Sequence, residues 1–192
     1  MPRQSGTKRA ILDAALELAA DNGITGTTME NVAERAGVAK GSVYYNFTSK
    51  DGLFEELLLE GVGVLAETVR NARSSQTGWP ALQSMVRALL ETVADNRALA
   101  RLLAAEIFRT DRAWQHSLEL LRREVLGEFI IPIRETSPPA EMDGRLEVVA
   151  GSVFGAALIG GLEWLVFSPE RSLDEVTESV LYAISGQLAS RA

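Results

Sequence analysis

The chain of 192 residues has no cysteine and a single histidine, His116. The first absence excludes disulfides, thiol nucleophiles and thiolate-ligated zinc or iron–sulfur centres. The second leaves no set of imidazoles for a metal, and a Ser-His-Asp triad would have to use His116. Proline is scarce, at six residues, while 46% of side chains are hydrophobic and 23% charged. That balance is soluble and globular, not disordered or fibrous. The stretch Met1 to Arg9 lacks the apolar run of a secretory signal. The longest charge-free apolar stretch, Val148 to Leu162, falls short of the roughly 20 residues that span a bilayer. These absences predict a cytoplasmic protein with no membrane partner, no cofactor and no metal. At about 150 residues per domain, one or two domains are expected.

Charge is unevenly spread. The net charge is −7, yet residues 1–50 hold six basic and five acidic side chains against thirteen and twenty-one in the rest. All three lysines, Lys8, Lys40 and Lys50, lie in that first part. The asymmetry hints at a nucleic-acid-facing end on an acidic body.

The apolar spacing is helical almost throughout, and no period-2 run appears. Helix 1 is predicted from about Thr7 to Asn22, with Gly23 as its stop. Thr27 and Glu30 have capping-box spacing for helix 2, which runs through Ala36 and ends at Gly37. Helix 3 covers about Lys40 to Phe47. Ser49 caps a long helix 4, and Pro80 opens helix 5. Helix 6 follows Asp95-Asn96. Helix 7 starts near Asp111 and is kinked or ended by Pro132. Helix 8 spans about Asp143 to Phe167, and Ser172 with Glu175 boxes the start of helix 9. This is an all-α chain of about nine helices. Residues 1–50 are expected to be a three-helix DNA-binding unit, and residues 51–192 a larger bundle for effector binding and dimerisation.

A turn containing Gly37 between two short helices is the arithmetic of a helix-turn-helix, whose second helix enters a major groove. On helix 3, Val43 and Phe47 define the apolar direction, and Gly41 and Tyr45 point nearly opposite, with Ser42 and Tyr44 to either side. Glycine permits close approach to DNA, and tyrosine hydroxyls reach phosphates. Lys40 and Lys50 offer charge to the same surface.

The string Gly37-Val38-Ala39-Lys40-Gly41-Ser42-Val43-Tyr44-Tyr45-Asn46-Phe47-Thr48-Ser49-Lys50, preceded by Thr27-Thr28 and followed by Leu53-Phe54, resembles the TetR family of bacterial transcriptional regulators. The resemblance covers roughly residues 7–60. It implies a three-helix DNA-binding domain, a helical ligand-binding domain, and a homodimer through helices 8 and 9. By position, Lys40, Gly41, Ser42, Tyr44, Tyr45 and Asn46 take recognition-helix roles, while Thr28 and Lys50 take phosphate contacts. Ala39 departs from the Ser or Thr common at that helix start, which predicts weaker capping. Asn46 replaces a common His.

Candidate pocket residues follow from apolar spacing: Val62, Leu65, Met85, Leu89, Leu103, Phe108, Trp114, His116, Leu121, Phe154 and Leu158. So few charges among them predict a small, largely apolar effector. Helix 8 is apolar nearly all round, which demands burial on more than one side. Gly151 and Gly155, in G-x-x-x-G spacing, together with Gly160 and Gly161, are expected to permit close helix approach. Trp164, Val180, Leu181 and Ile184 are the candidate dimer contacts. The expected function is a repressor released by its effector from a pseudo-palindromic operator in double-stranded DNA. The alternatives are a constitutive or nonspecific DNA binder, and an all-helical enzyme. The latter would need carboxylate or tyrosine chemistry, and no convergent pair nominates itself, so no catalytic residue is expected.

Overall fold

Ile11, Leu12, Ala15 and Ala19 recur along one side of the first helix, and all four are buried. The same amphipathic logic runs through the whole chain. The computed structural model describes residues 6–106, 109, 114–136 and 144–189. Among them there are nine helices and no strand: α1 Gly6–Gly26, α2 Met29–Ala36, α3 Lys40–Asn46, α4 Lys50–Arg73, α5 Gly78–Asp95, α6 Arg97–Glu106, α7 Gln115–Thr136, α8 Leu146–Phe167 and α9 Leu173–Ala189.

Local chemistry sets most boundaries. Gly23 takes φ 71°, ψ 162°, which breaks the helical run where expected, and one further turn carries α1 to Gly26. The start of α2 differs from the sequence expectation. Thr28 is the N-cap, its hydroxyl accepting from the Asn31 N–H at 3.1 Å. Thr27 is buried instead, and its hydroxyl donates to the Gly23 carbonyl at 2.9 Å. Ser49 caps α4 by accepting from the Gly52 N–H at 3.1 Å. Ser172 and Glu175 form the expected reciprocal box: the Ser172 N–H donates to the carboxylate at 2.8 Å and the Glu175 N–H to the hydroxyl at 3.2 Å. Of the two outcomes expected at Pro132, an end to the helix is not found: α7 continues to Thr136. Phe129 and Ile133, both fully buried on either side of the proline, hold it in place.

The body is a bundle in which α5 touches α4, α7, α8 and α9, so α5 is its central helix. Leu82, Met85, Val86, Leu89 and Leu90 of α5 are completely buried. Each such side chain contributes about 1.5–3 kcal/mol of transfer free energy. The 22-residue α8 is the one described helix long and apolar enough to cross a membrane. Here it packs on α5, α6, α7 and α9. A Cβ on Gly161 would lie 3.0 Å from Val93 of α5, and one on Gly160 would lie 3.1 Å from Val180 of α9. This pair, rather than Gly151 and Gly155, brings neighbouring helices close. A Cβ on Gly151 would meet only the Arg122 guanidinium of α7, at 3.9 Å, and one on Gly155 nothing within 4 Å.

Head and body are continuous. The helices of the head, α1, α2 and α3, pack on each other, and α1 also lies against α4 and α6. One buried cluster runs from Ile11 through Val62 and Leu89 to Val180. In α4, a Cβ on Gly61 would sit 2.6 Å from Leu99 of α6, so glycine there sets how closely α6 can approach.

Candidate nucleic-acid interface and ligand cleft

The turn between α2 and α3 is built on Gly37, at φ 66°, ψ 31°. Its N–H and that of Val38 return to the carbonyls of Glu34 and Ala33, closing the end of α2. Helix α3 begins at once. Ala39 stands at its N-cap and makes no side-chain hydrogen bond, in line with the expected weak cap. Val43 and Phe47 are buried beneath α3, which fixes its rotation. Tyr45 is then 90% exposed and Tyr44 44%. Above Gly41 there is open space within 4 Å of where a Cβ would be, so no internal contact demands glycine there. An approaching backbone would. Ser42 is half-buried. Asn46 is too, and its amide donates back to the Ser42 carbonyl at 2.8 Å.

The described cations of the head are already occupied. Lys8 pairs with Glu56 at 2.6 Å, Arg9 with Asp13 and Glu60, and Arg35 with Glu17. Lys40 pairs with Glu30 and stands 5.8 Å from the centre of the Tyr44 ring. The hydrogen bond from Lys40 holds the Glu30 carboxyl below the usual carboxylate range and raises Lys40 in turn. The Thr28 hydroxyl is engaged with Asn31. Lys50 has a duty that spacing did not reveal. Its ammonium donates to the carbonyls of Ile24 at 3.0 Å, Thr25 at 3.4 Å and Thr27 at 3.0 Å. It therefore gathers the end of α1 against the start of α4, and sets where the N-terminus of α2 points.

In the body, a cleft of about 610 Å³ opens between α6, α7 and α8. Its size lies within the range of small-molecule sites. Leu126, Ile130, Phe154 and Leu158 supply an apolar wall, and Gly151 and Gly155 an uncrowded floor. The lining also holds Arg122, Arg123, Glu119 and Glu147. The expectation of few charges is thus corrected. Arg123 pairs with Glu119 at 2.7 Å, whereas Arg122 has no carboxylate partner among the described residues. Beside the cleft lies a small apolar void lined by Val62, Leu65, Leu103 and Val125, and Arg122, Leu126 and Phe154 border both spaces.

Of the residues expected in the pocket, Phe154 and Leu158 line the cleft, and Val62, Leu65 and Leu103 line the void. Met85 and Leu89 are plain core, completely buried on the inner face of α5. Trp114 is buried away from the cleft lining, and His116 is exposed near the start of α7. Phe108 and the side chain of Leu121 lie outside the described residues. Spacing missed Arg122. The available signal was a charge four residues before Leu126, in the apolar register of α7.

Two expected dimer contacts are also corrected. Trp164 is buried in its own subunit, with its indole N–H donating to the Arg171 carbonyl at 3.0 Å. Val180 is buried against Gly160. Leu181 and Ile184 are half-buried. The outward apolar groups of α8 and α9 are Val148, Ile159, Val166, Phe167 at 76% exposure and Tyr182 at 85%, of which Val148 and Ile159 also line the cleft.

The TetR_N model, described as bacterial regulatory proteins of the tetR family, matches residues 11–57, the span of the helix-turn-helix just described. The chain is 32% identical over 133 residues to the HTH-type transcriptional regulator RutR of Escherichia coli K12. That alignment takes in 69% of this chain and 59% of RutR, so the chain spans about three-fifths of that relative. A crystal structure of a tetR-family transcription regulator from Shewanella sp. PV-4 superposes with TM-score 0.77 at 20% identity, covering 94% of this chain and 96% of that one. The transcriptional regulator FadR of Bacillus subtilis, crystallised with stearoyl-CoA, superposes with TM-score 0.75 at 20% identity, covering 92% and 96%. At such identity the likeness is one of fold.

Proposed function

The chain belongs to the TetR family of bacterial regulatory proteins, and from that membership we propose that it is a cytoplasmic transcriptional repressor. It binds a pseudo-palindromic operator as a homodimer and is released by a small molecule. The observation that carries this reading is α3, which holds Gly41, Tyr44 and Tyr45 outward over buried Val43. Tyr44, Tyr45 and Lys40 meet the duplex, Gly41 and Ser42 allow close approach, and Asn46 braces the helix. Thr28 and the N-terminus of α2 meet phosphate. Lys50 holds that N-terminus in place. The dimer forms through the outward apolar face of α8 and α9, with Leu181 and Ile184 at its edge. A two-fold pair of recognition helices requires two half-sites related by dyad symmetry.

Selection of duplexes from a random pool, followed by footprinting, tests the proposal. The expected product is a pseudo-palindrome whose half-sites lie about one helical turn or a multiple apart. Salt-sensitive binding indifferent to sequence would support the nonspecific alternative instead.

The signal travels along α4. Its 24 residues span about 36 Å at 1.5 Å each. They run from Lys50 beside the head, past Val62 and Leu65 at the void, to Arg70 and Arg73, which both pair with Glu128 of α7. A ligand that parts α7 from α4 therefore tilts the element on which the head rests. Such coupling is typically about 1–3 kcal/mol and is reciprocal, so effector must bind the operator complex more weakly by the same factor. Equal effector affinity with and without saturating operator refutes this mechanism.

A further inference from the structure

We infer that the cleft between α6, α7 and α8 takes an amphiphilic carboxylate, with Arg122 holding the anionic head and Leu126, Ile130, Phe154 and Leu158 receiving the apolar chain. The inference rests on the ligand-responsive reading above and specifies its ligand. Three observations carry it. First, the two arginines of the cleft differ: Arg123 is neutralised by Glu119, while Arg122 has no carboxylate partner among the described residues. A guanidinium beside an apolar wall is a fork for a planar carboxylate, which it holds through two parallel charge-assisted hydrogen bonds. Second, a Cβ on Gly151 would lie 3.9 Å from the Arg122 Nη2, and nothing lies within 4 Å of one on Gly155. The two glycines keep the floor beside the guanidinium clear where a head group needs room. Third, Arg122, Leu126 and Phe154 separate the cleft from the apolar void against Val62 and Leu65 of α4. A chain anchored at Arg122 and pushed past Phe154 presses on the helix that carries the head.

The pairing selects the valence. Arg123 is paired with Glu119, and among the described lining residues Arg122 is the one cation without an ion pair. The four charged groups of the lining sum to zero, with Glu147 as the remaining carboxylate. A single carboxylate engages one guanidinium, whereas a polyphosphate would bring several negative charges to a lining with no net positive charge to meet them.

Calorimetric titration of the full chain with octanoate and, separately, with octan-1-ol tests the inference, because the two differ only in the head group. Octanoate is expected to bind at least tenfold more tightly than the alcohol. In Arg122→Ala that preference should fall to near unity, while Arg123→Ala, which removes the same formal charge, should keep most of it. Circular dichroism verifies that both variants fold. Absence of octanoate binding, equal affinity for acid and alcohol in the native chain, or a preference unchanged in Arg122→Ala would each overturn the inference. Operator binding of the ligand-free protein, measured on the same samples, separates the two readings. Specific operator binding without acid preference sinks the ligand class alone. Acid preference in a protein that selects no operator supports the site and sinks the repressor reading.

Discussion

The head and the cleft differ in how far their positive charge is already paired. In the head, Lys8, Arg9, Arg35, Lys40 and Lys50 each already hold a carboxylate or a set of carbonyls. In the cleft, Arg123 holds Glu119 while Arg122 holds no carboxylate among the described residues. On the proposed function, the contrast follows from what each surface would meet. A polyanion brings many charges at once and can displace exposed ion pairs, which contribute only about 0–1 kcal/mol apiece. A small acid brings one charge, and a carboxylate already bonded to its guanidinium would compete directly with it.

The harshest way to break the comparison is to remove what positions the recognition face. Phe47 is buried under α3, and Phe47→Ala should cost about 3–5 kcal/mol in urea unfolding, abolishing operator binding while the chain is unfolded. Tyr45→Ala works from the other side. At 90% exposure it should leave stability within about 0.5 kcal/mol yet weaken specific operator binding by about 1–3 kcal/mol. Unchanged affinity would remove Tyr45 from the interface. Lys50 sharpens the distinction between cations that bind and cations that brace. Lys50→Ala strips three carbonyls of their donor and should lower stability by about 1–2 kcal/mol, measured without DNA. A variant as stable as the native chain would return Lys50 to a purely phosphate-facing role.

The smallest effect concerns pH. The Glu30 carboxyl is lowered by its hydrogen bond from Lys40, and that of Glu175 by its bonds from Ser172. A folded-state pKa below the ordinary 4.5 means that the stabilisation is complete above that value and is lost as pH falls through the folded one. Melting temperature should therefore decline slightly on acidification below about pH 5, and Glu30→Gln should remove part of the decline. Glu30→Gln should also strengthen DNA binding modestly at low salt, because it frees Lys40. A salt titration in which the variant matches the native chain would show that the pair does not compete with phosphate.

How far the sequence disclosed these features depends on how local each one is. The turn at Gly37, the burial of Val43 and Phe47, and the Ser49 and Ser172 caps are settled by neighbours a few residues away. Spacing alone located them. Thr27 and Thr28 are both good caps, and the choice between them rests on the Gly23 carbonyl that claims the Thr27 hydroxyl. The outcome at Trp164 and Val180 depends on a turn and on a glycine of another helix. The cleft joins Ala104, Arg122 and Gly155 from three helices, and no window of sequence contains them together. Gly151 and Gly155 illustrate the limit most clearly. Their spacing predicts a helix seam, and the fold uses the same missing side chains to leave a space.

The contact of α1 with α4 and α6 bears on how the chain comes apart. Ile11, Leu12 and Ala15 belong to the same buried cluster as the leucines of the bundle, and no linker interrupts the passage from Ser49 into α4. Denaturation should then be a single cooperative event rather than the melting of a head followed by a body. A fragment ending near residue 50 would carry the recognition helix into solution without the surface that keeps α1 dry. The part of the molecule most easily recognised in sequence is thus not expected to stand alone.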